Sequence, residues 1–155
     1  MKNFYLFMAL AILMMFSSCS KDEPLPKGVL FEEPYLELGC TAQQVMTNAK
    51  GSFMYHYVGG EKNWISFNNH NVEYHYIIGG DKVDSLICVD VYVPQSVASM
   101  QEVYDYMYDC YVKKEIKENG YGHNTTTFSI PESGIYVDFI VQHTESSYIH
   151  YYKKS

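Results

Sequence analysis

Arginine is absent from this 155-residue chain: all 11 basic residues are lysine, set against 18 acids for a formal charge of −7. Guanidinium forks grip phosphates in pairs of hydrogen bonds, so an acidic chain without them is a poor nucleic-acid binder, and no such partner is expected. The chain also lacks HExxH, CxxC, an EF-hand loop, GxSxG and a phosphate-binding glycine loop. No catalytic residue, metal ligand or cofactor is therefore assigned, and the chain is expected not to be an enzyme. A long apolar run is missing too. Phe4 to Phe16 is uncharged, but its reach is only ~20 Å at ~1.5 Å per helical residue, short of a ~30 Å hydrocarbon core.

What is present begins at the N-terminus. Lys2 precedes the apolar run, and Ser17, Ser18 and Cys19 follow it. That order of charge, apolar stretch and small residues is a secretory signal. Ser17-Ser18-Cys19 resembles the lipobox of bacterial lipoproteins, with Phe16 where leucine is usual. The resemblance implies cleavage after residue 18, acylation of Cys19 and anchorage in a membrane. Lys21, Asp22 and Glu23 resemble the surface-export signal of Bacteroidetes lipoproteins, which implies an outer-membrane protein facing the cell exterior. The mature chain keeps 10 lysines and all 18 acids, a side-chain charge of −8. Residues 19–34 hold Pro24, Pro26, Pro34 and Gly28 and read as an extended tether. Residues 35–155 then form one domain, as the length suggests.

Thr41 and Gln44 form a capping box, and Cys40 and Val45 stand at hydrophobic-staple positions. Ala42, Val45, Met46 and Ala49 continue a helical stripe, with Gly51 suited to C′. Strands are expected at 53–58, 63–67, 72–78 and 82–93, separated by Gly59-Gly60, Asn68 to Asn71 and Gly79-Gly80-Asp81. In the fourth, Ile87, Val89, Val91 and Val93 alternate and predict the core face. Leu86, Cys88, Asp90 and Tyr92 then face away. Ser99 and Glu102 form a second capping box, and a helix is expected to about Asn119. Its stripe is Met100, Val103, Tyr104, Met107, Cys110 and Tyr111, with Asp109 and Lys113 as an i, i+4 pair. Strands at 135–142 and 148–153 finish the chain around a Glu145-Ser146-Ser147 turn, and Thr125 to Ile130 is a candidate third. The fold class is α+β: an antiparallel sheet with two helices packed on one face, in the order α-β-β-β-β-α-β-β with an optional last strand.

From Glu33 through Val45 and into the strands, the chain looks like a set of small Bacteroidetes lipoproteins of unknown role. Gly39, Thr41 and Val45 form a Gly-x-Thr-x-x-x-Val pattern similar to the small outer-membrane assembly lipoprotein and to β-lactamase inhibitor protein. Those folds imply helices on an antiparallel sheet. The first resemblance implies no activity.

Tyrosine is abundant, at 16 residues against a single Trp. Tyr55-His56-Tyr57 and Tyr74-His75-Tyr76 sit in echoed segments ending in Gly-Gly. Tyr55, Tyr57, Tyr74 and Tyr76 are either one exposed platform for a protein or glycan partner or simply the core face of the sheet. His56 and His75 are too far apart to share a metal, because a strand separates theirs. His143 and His150 flank the last turn, where by spacing alone they could share one metal ion, without an established ligand motif around them. Cys40, Cys88 and Cys110 are expected as free thiols, with no electropositive helper to make a nucleophile. Asp84-Ser85-Leu86 resembles the O-glycosylation motif of Bacteroidetes exported proteins, with Ser85 as acceptor, although the expected strand would hide it. Carboxylates Glu32 and Glu33 fall in the tether and need no catalytic role. The functional expectation is a lipid-anchored, non-catalytic binding module; the alternative is an inhibitor or immunity lipoprotein that neutralises a hydrolase.

Cells fed a fatty-acid probe are expected to label the protein and to lose the label in Cys19→Ala. Label that persists in the variant refutes lipid attachment at Cys19.

Overall fold

Two hydroxyl residues start the two helices. Thr41 Oγ1 accepts from Gln44 N, and Gln44 Oε1 accepts from Thr41 N at 2.9 Å. Helix α1 then runs Ala42–Asn48. Ser99 and Glu102 repeat the exchange at 2.8 Å ahead of helix α2, Met100–Cys110. Each reciprocal pair satisfies two amides that a helix start leaves without partners. A computed structural model describes residues 24–59, 62–79, 84–119, 123–140 and 146–154. The proposed leader and Cys19, Lys21, Asp22 and Glu23 lie outside them, as does His143.

Each helix is followed by a four-stranded meander. The first comprises β1 (Ser52–Gly59), β2 (Lys62–Asn69), β3 (Val72–Ile78) and β4 (Leu86–Pro94). The second comprises β5 (Val112–Asn119), β6 (His123–Ser129), β7 (Ile135–Ile140) and β8 (Ser146–Lys153). The fold is α+β, with one antiparallel sheet ordered β1-β2-β3-β4-β8-β7-β6-β5. The halves meet at β4 and β8 in mirrored order, so an approximate two-fold axis passes through that ladder. Thr41-Ala42-Gln43-Gln44-Val45 matches Ser99-Met100-Gln101-Glu102-Val103, and both valines are fully buried. Register shifts fall at matching points, between Phe53 and Tyr55 in β1 and between Lys113 and Glu115 in β5. The echo between residues 55–62 and 74–82 is therefore not the repeat of this fold; the repeat spans about half the chain.

One face of the sheet carries the core. Ile65, Phe67, Tyr74, Tyr76, Val89, Val91, Val93, Val137, Phe139, Ile149 and Tyr151 are buried together with Val45 of α1 and Val103 and Met107 of α2. His70 and Asn71, both at positive φ, make the two-residue link between β2 and β3, a geometry that matches strand twist.

Several expectations need correction. The second helix stops at Cys110, and the residues expected to extend it form β5. Tyr111 ends it with an extended backbone and a buried ring, its hydroxyl donating to Glu33 Oε1 at 2.5 Å and lying 3.3 Å from that of Tyr151. That anchor overrides the helix propensity of the Lys-Glu run, and β5 becomes an edge strand that, among the described residues, pairs only with β6. Lys113 consequently leaves Asp109 and bonds the Tyr104 hydroxyl at 3.4 Å. Cys110 is exposed rather than core-facing. Strand β4 begins at Leu86, not at 82, and Leu86 rather than Ile87 enters the core. Leu86 is held by two backbone bonds, from Gly39 N and to Cys40 O, each 2.8 Å. The ladder shifts register there, turning Ile87 outward. Ser146 and Ser147 belong to β8, not to a turn. Helix α1 ends on Ala49 in an extended conformation, so Gly51 is not its C′ residue. Gly51 instead takes φ +95° against β2, where an added Cβ would come within 2.5 Å of Asn68 O.

The expected tether is packed from Leu30 onward. Phe31 is buried with its ring 5.2 Å from Tyr106, and Glu32 Oε2 accepts from Asn69 Nδ2 at 3.0 Å and pairs with Lys50.

Met107 is fully buried whereas Cys110, a turn later, is exposed. Met107→Ala is expected to cost about 2–5 kcal/mol in urea unfolding and Cys110→Ala no more than about 0.5 kcal/mol. Equal costs would contradict the helix orientation described here.

Candidate functional site: the open sheet face

Strand alternation sends every second side chain to the face opposite the core. Pairing then aligns these residues into rows across the sheet. The central row joins Tyr55, Ser66, His75, Asp90, His150, Asp138 and Thr127, each directly opposite the next. Its middle pair, Asp90 and His150, sits on the pseudo-two-fold axis: each is the fifth residue of its strand. His150 Nδ1 lies 2.6 Å from Asp90 Oδ1. Asp138 Oδ1 accepts from Thr127 Oγ1 at 2.7 Å and from the Tyr152 hydroxyl at 3.3 Å. Glu73 Oε1 lies 2.6 Å from His75 Nε2 and accepts from Ser66 Oγ at 3.1 Å. Each of these carboxylates thus has its partners on this same face.

Aromatic rings flank the row and form a continuous ribbon. Tyr57 stacks on Trp64 with centroids 4.1 Å apart. Trp64 is 6.2 Å from His75, and His75 is 5.0 Å from Tyr92. Tyr92 meets Tyr148 across the central ladder at 5.1 Å. His150 and Tyr152 stack at 5.1 Å, and Tyr152 reaches Tyr136 at 5.9 Å. Lys154 caps the end, its ammonium 4.5 Å from the Tyr136 centroid. The whole sheet is about 34 Å wide at ~4.8 Å per strand spacing.

Crowding on this face shows in its proton chemistry. Burial, then Asp90 and Glu73, push the Tyr92 hydroxyl up to about 12. Burial, then the charge and hydrogen bond of Asp90, push Tyr148 well above the ordinary tyrosine range. Burial, then Asp90, push the Cys88 thiol up to about 12. A thiol held protonated in this way is a poor nucleophile. The Trp64 indole N–H is buried without a hydrogen-bond partner.

The tyrosines expected to act together are divided. Tyr55 and Tyr57 stand on the open face, 41% and 45% exposed, while Tyr74 and Tyr76 are core residues at 3% and 1%. Strand β2 sets the parity: Tyr55 opposes Ser66, which opposes His75, so the β3 histidine shares the face of the β1 tyrosines. The core-face expectation therefore holds for Tyr74 and Tyr76 and not for Tyr55 and Tyr57, so the four do not share one face. His56 points to the other face and lies 2.6 Å from Asn63 Oδ1. Ser85 is half-buried in the link before β4, outside any strand, and the adjacent Asp84 Oδ1 accepts from Ala42 N at 2.7 Å. Cys40, Cys88 and Cys110 are free thiols.

Trp64, Tyr92, Tyr148, His150 and Tyr152 belong to the site without having been singled out for it. The signal available was the i, i+2 spacing of Tyr148-His150-Tyr152 and of Cys88-Asp90-Tyr92. A cleft of about 350 Å³ around Ile130 to Tyr136 touches the ribbon at its Tyr136 end, and one of about 230 Å³ lies beside Tyr104 and Phe139. Neither is lined by the histidine–carboxylate row.

Trp64 is the sole tryptophan and reports on the ribbon. Tyr57→Ala is expected to red-shift its emission and increase acrylamide quenching. Unchanged emission and quenching would refute the stack.

No protein-family model, no curated protein and no solved structure matches this chain.

Proposed function

We propose that this protein is a lipid-anchored, outward-facing binding module that uses its open sheet face to hold another protein. The ribbon of rings from Tyr57 to Tyr136 carries the proposal. Tyrosine and tryptophan offer large contact areas at little conformational cost, and they recur where partners dock. The ribbon is broad, running from β1 to β7 across the sheet, which favours an extended protein surface over a small ligand or glycan. It also runs to an open edge. Phe53, Met54, Tyr55, Tyr57 and Val58 of β1 are all exposed, and among the described residues no strand lies on the outer side of β1.

Anchorage follows from Ser17-Ser18-Cys19, and outward display from Lys21, Asp22 and Glu23. Membrane attachment and the binding face are then separate parts of one chain. A second form of the same reading is an inhibitor or immunity lipoprotein. Glu73, Asp90 and Asp138 on the face, with a formal charge of −7 overall, suit a hydrolase with a basic rim.

A photo-crosslinking residue at Tyr55 or Tyr148, introduced in living cells, is expected to trap one shared partner. The same group at exposed Gln101 on α2 is expected to trap none. Tyr57→Ala is expected to weaken that partner's binding by about 2 kcal/mol, roughly thirtyfold. Equal trapping from α2 and the open face would overturn the assignment. A trapped hydrolase that loses activity on adding the protein would select the inhibitor form.

A further inference from the structure

At the pseudo-two-fold axis, one open-face position adds a thiol to the Asp90–His150 pair. Cys88 and Asp90 are two residues apart on β4, so both project from the same face. His150 is directly opposite Asp90 on β8. One donor atom from each residue lies within 4.8 Å of the others, and all three residues are half-buried. We propose that Cys88, Asp90 and His150 bind a single divalent transition-metal ion of the zinc class.

The geometry fits without moving the backbone. Zinc holds sulfur at ~2.3 Å and nitrogen or oxygen at ~2.0–2.2 Å in a tetrahedron, which sets its donors ~3.3–3.8 Å apart. The three donors reach that spacing by side-chain rotation of an ångström or so. The ladder between β4 and β8 fixes their Cα positions, so most of the ordering cost is met in folding. The 2.6 Å contact between His150 Nδ1 and Asp90 Oδ1 opens slightly as the ion takes the place of the proton between them, which the neutral imidazole keeps by carrying it on Nε2 instead.

The donor set also selects the ion. Thiolate with imidazole favours zinc, cobalt or nickel, whereas calcium and magnesium need an oxygen cage that one carboxylate does not supply. Binding exchanges the Cys88 thiol proton for a metal–sulfur bond and moves no electrons. The charges of thiolate and carboxylate then balance the ion. Tyr148 and Tyr152 flank His150, with centroids at 6.3 and 5.1 Å, and wall the site on two sides. Three protein ligands leave a fourth position, open to water or to a donor atom from a molecule lying on the face. The site does not depend on the proposed docking role, because it is complete within the chain.

The test is a Co²⁺ titration of the whole reduced chain after chelator treatment, followed by Zn²⁺ displacement. The expected result is a thiolate-to-cobalt charge-transfer band that saturates at one ion per chain and disappears with zinc. Cys88→Ser removes the band, and His150→Ala weakens binding roughly tenfold or more. Cys110→Ser leaves it unchanged. Circular dichroism of each variant establishes that it is folded, and Asp90→Asn supplies a second, nearly isosteric probe whose weakened binding is expected. Absence of the band in the wild-type chain overturns the proposal, as does its survival in folded Cys88→Ser or its loss in folded Cys110→Ser.

Discussion

The antiparallel ladder between β4 and β8 joins two halves that would otherwise be separate four-stranded meanders, each with a single helix. Val89, Val91 and Val93 on one strand and Ile149 and Tyr151 on the other are fully buried beneath the helices. On the reverse side the same ladder places Asp90 against His150 and Tyr92 against Tyr148. Pleat alternation ties the two faces together: a one-residue slip that exposed the valines would also bury the aspartate and histidine.

The two faces differ in composition for a physical reason. The helix-covered face is aliphatic and aromatic, with Tyr74 donating to Glu32 O at 2.9 Å and the Tyr76 hydroxyl accepting from Tyr35 N at 3.2 Å. Segment 30–37 thus supplies the partners that two buried tyrosine hydroxyls require. It does the same for Tyr111 through Glu33. The open face has no such cover among the described residues; its carboxylates take partners from histidines and hydroxyls on the same or neighbouring strands, while the Trp64 indole N–H is left without one. Its aromatic rings shield one another instead of a helix shielding them. That arrangement suits the proposed docking role, since rings already packed lose little freedom when a partner arrives. It also surrounds the proposed metal ligands with apolar walls.

Much of the local structure was legible in the sequence. Thr41 with Gln44, and Ser99 with Glu102, mark helix starts because their reciprocal hydrogen bonds lie within four residues. Val89, Val91, Val93, Ile135, Val137 and Phe139 announce strands by period-two alternation. Local propensity failed at residues 112–119. Lysine and glutamate favour a helix, but Tyr111 is captured by Glu33 and Tyr151, 78 and 40 residues away in sequence. Leu86 and Ile87 failed similarly, because the backbone bonds to Gly39 and Cys40 that set the register come from outside the strand.

The sequence by itself therefore determined the helix starts, most strands, a turn within Asn68 to Asn71 and the side of β4 that carries Cys88, Asp90 and Tyr92. All of these depend on hydrogen bonds and sterics within a few residues. Tertiary structure alone decided which strands are neighbours, and with that the composition of the open face. Tyr55 and Tyr57 joined His75 rather than Tyr74 and Tyr76 because cross-strand parity passes through β2. Asp90 met His150 because the two meanders join edge to edge at β4 and β8. No spacing in the chain encodes that meeting; it is fixed by the burial of the valines on the opposite face.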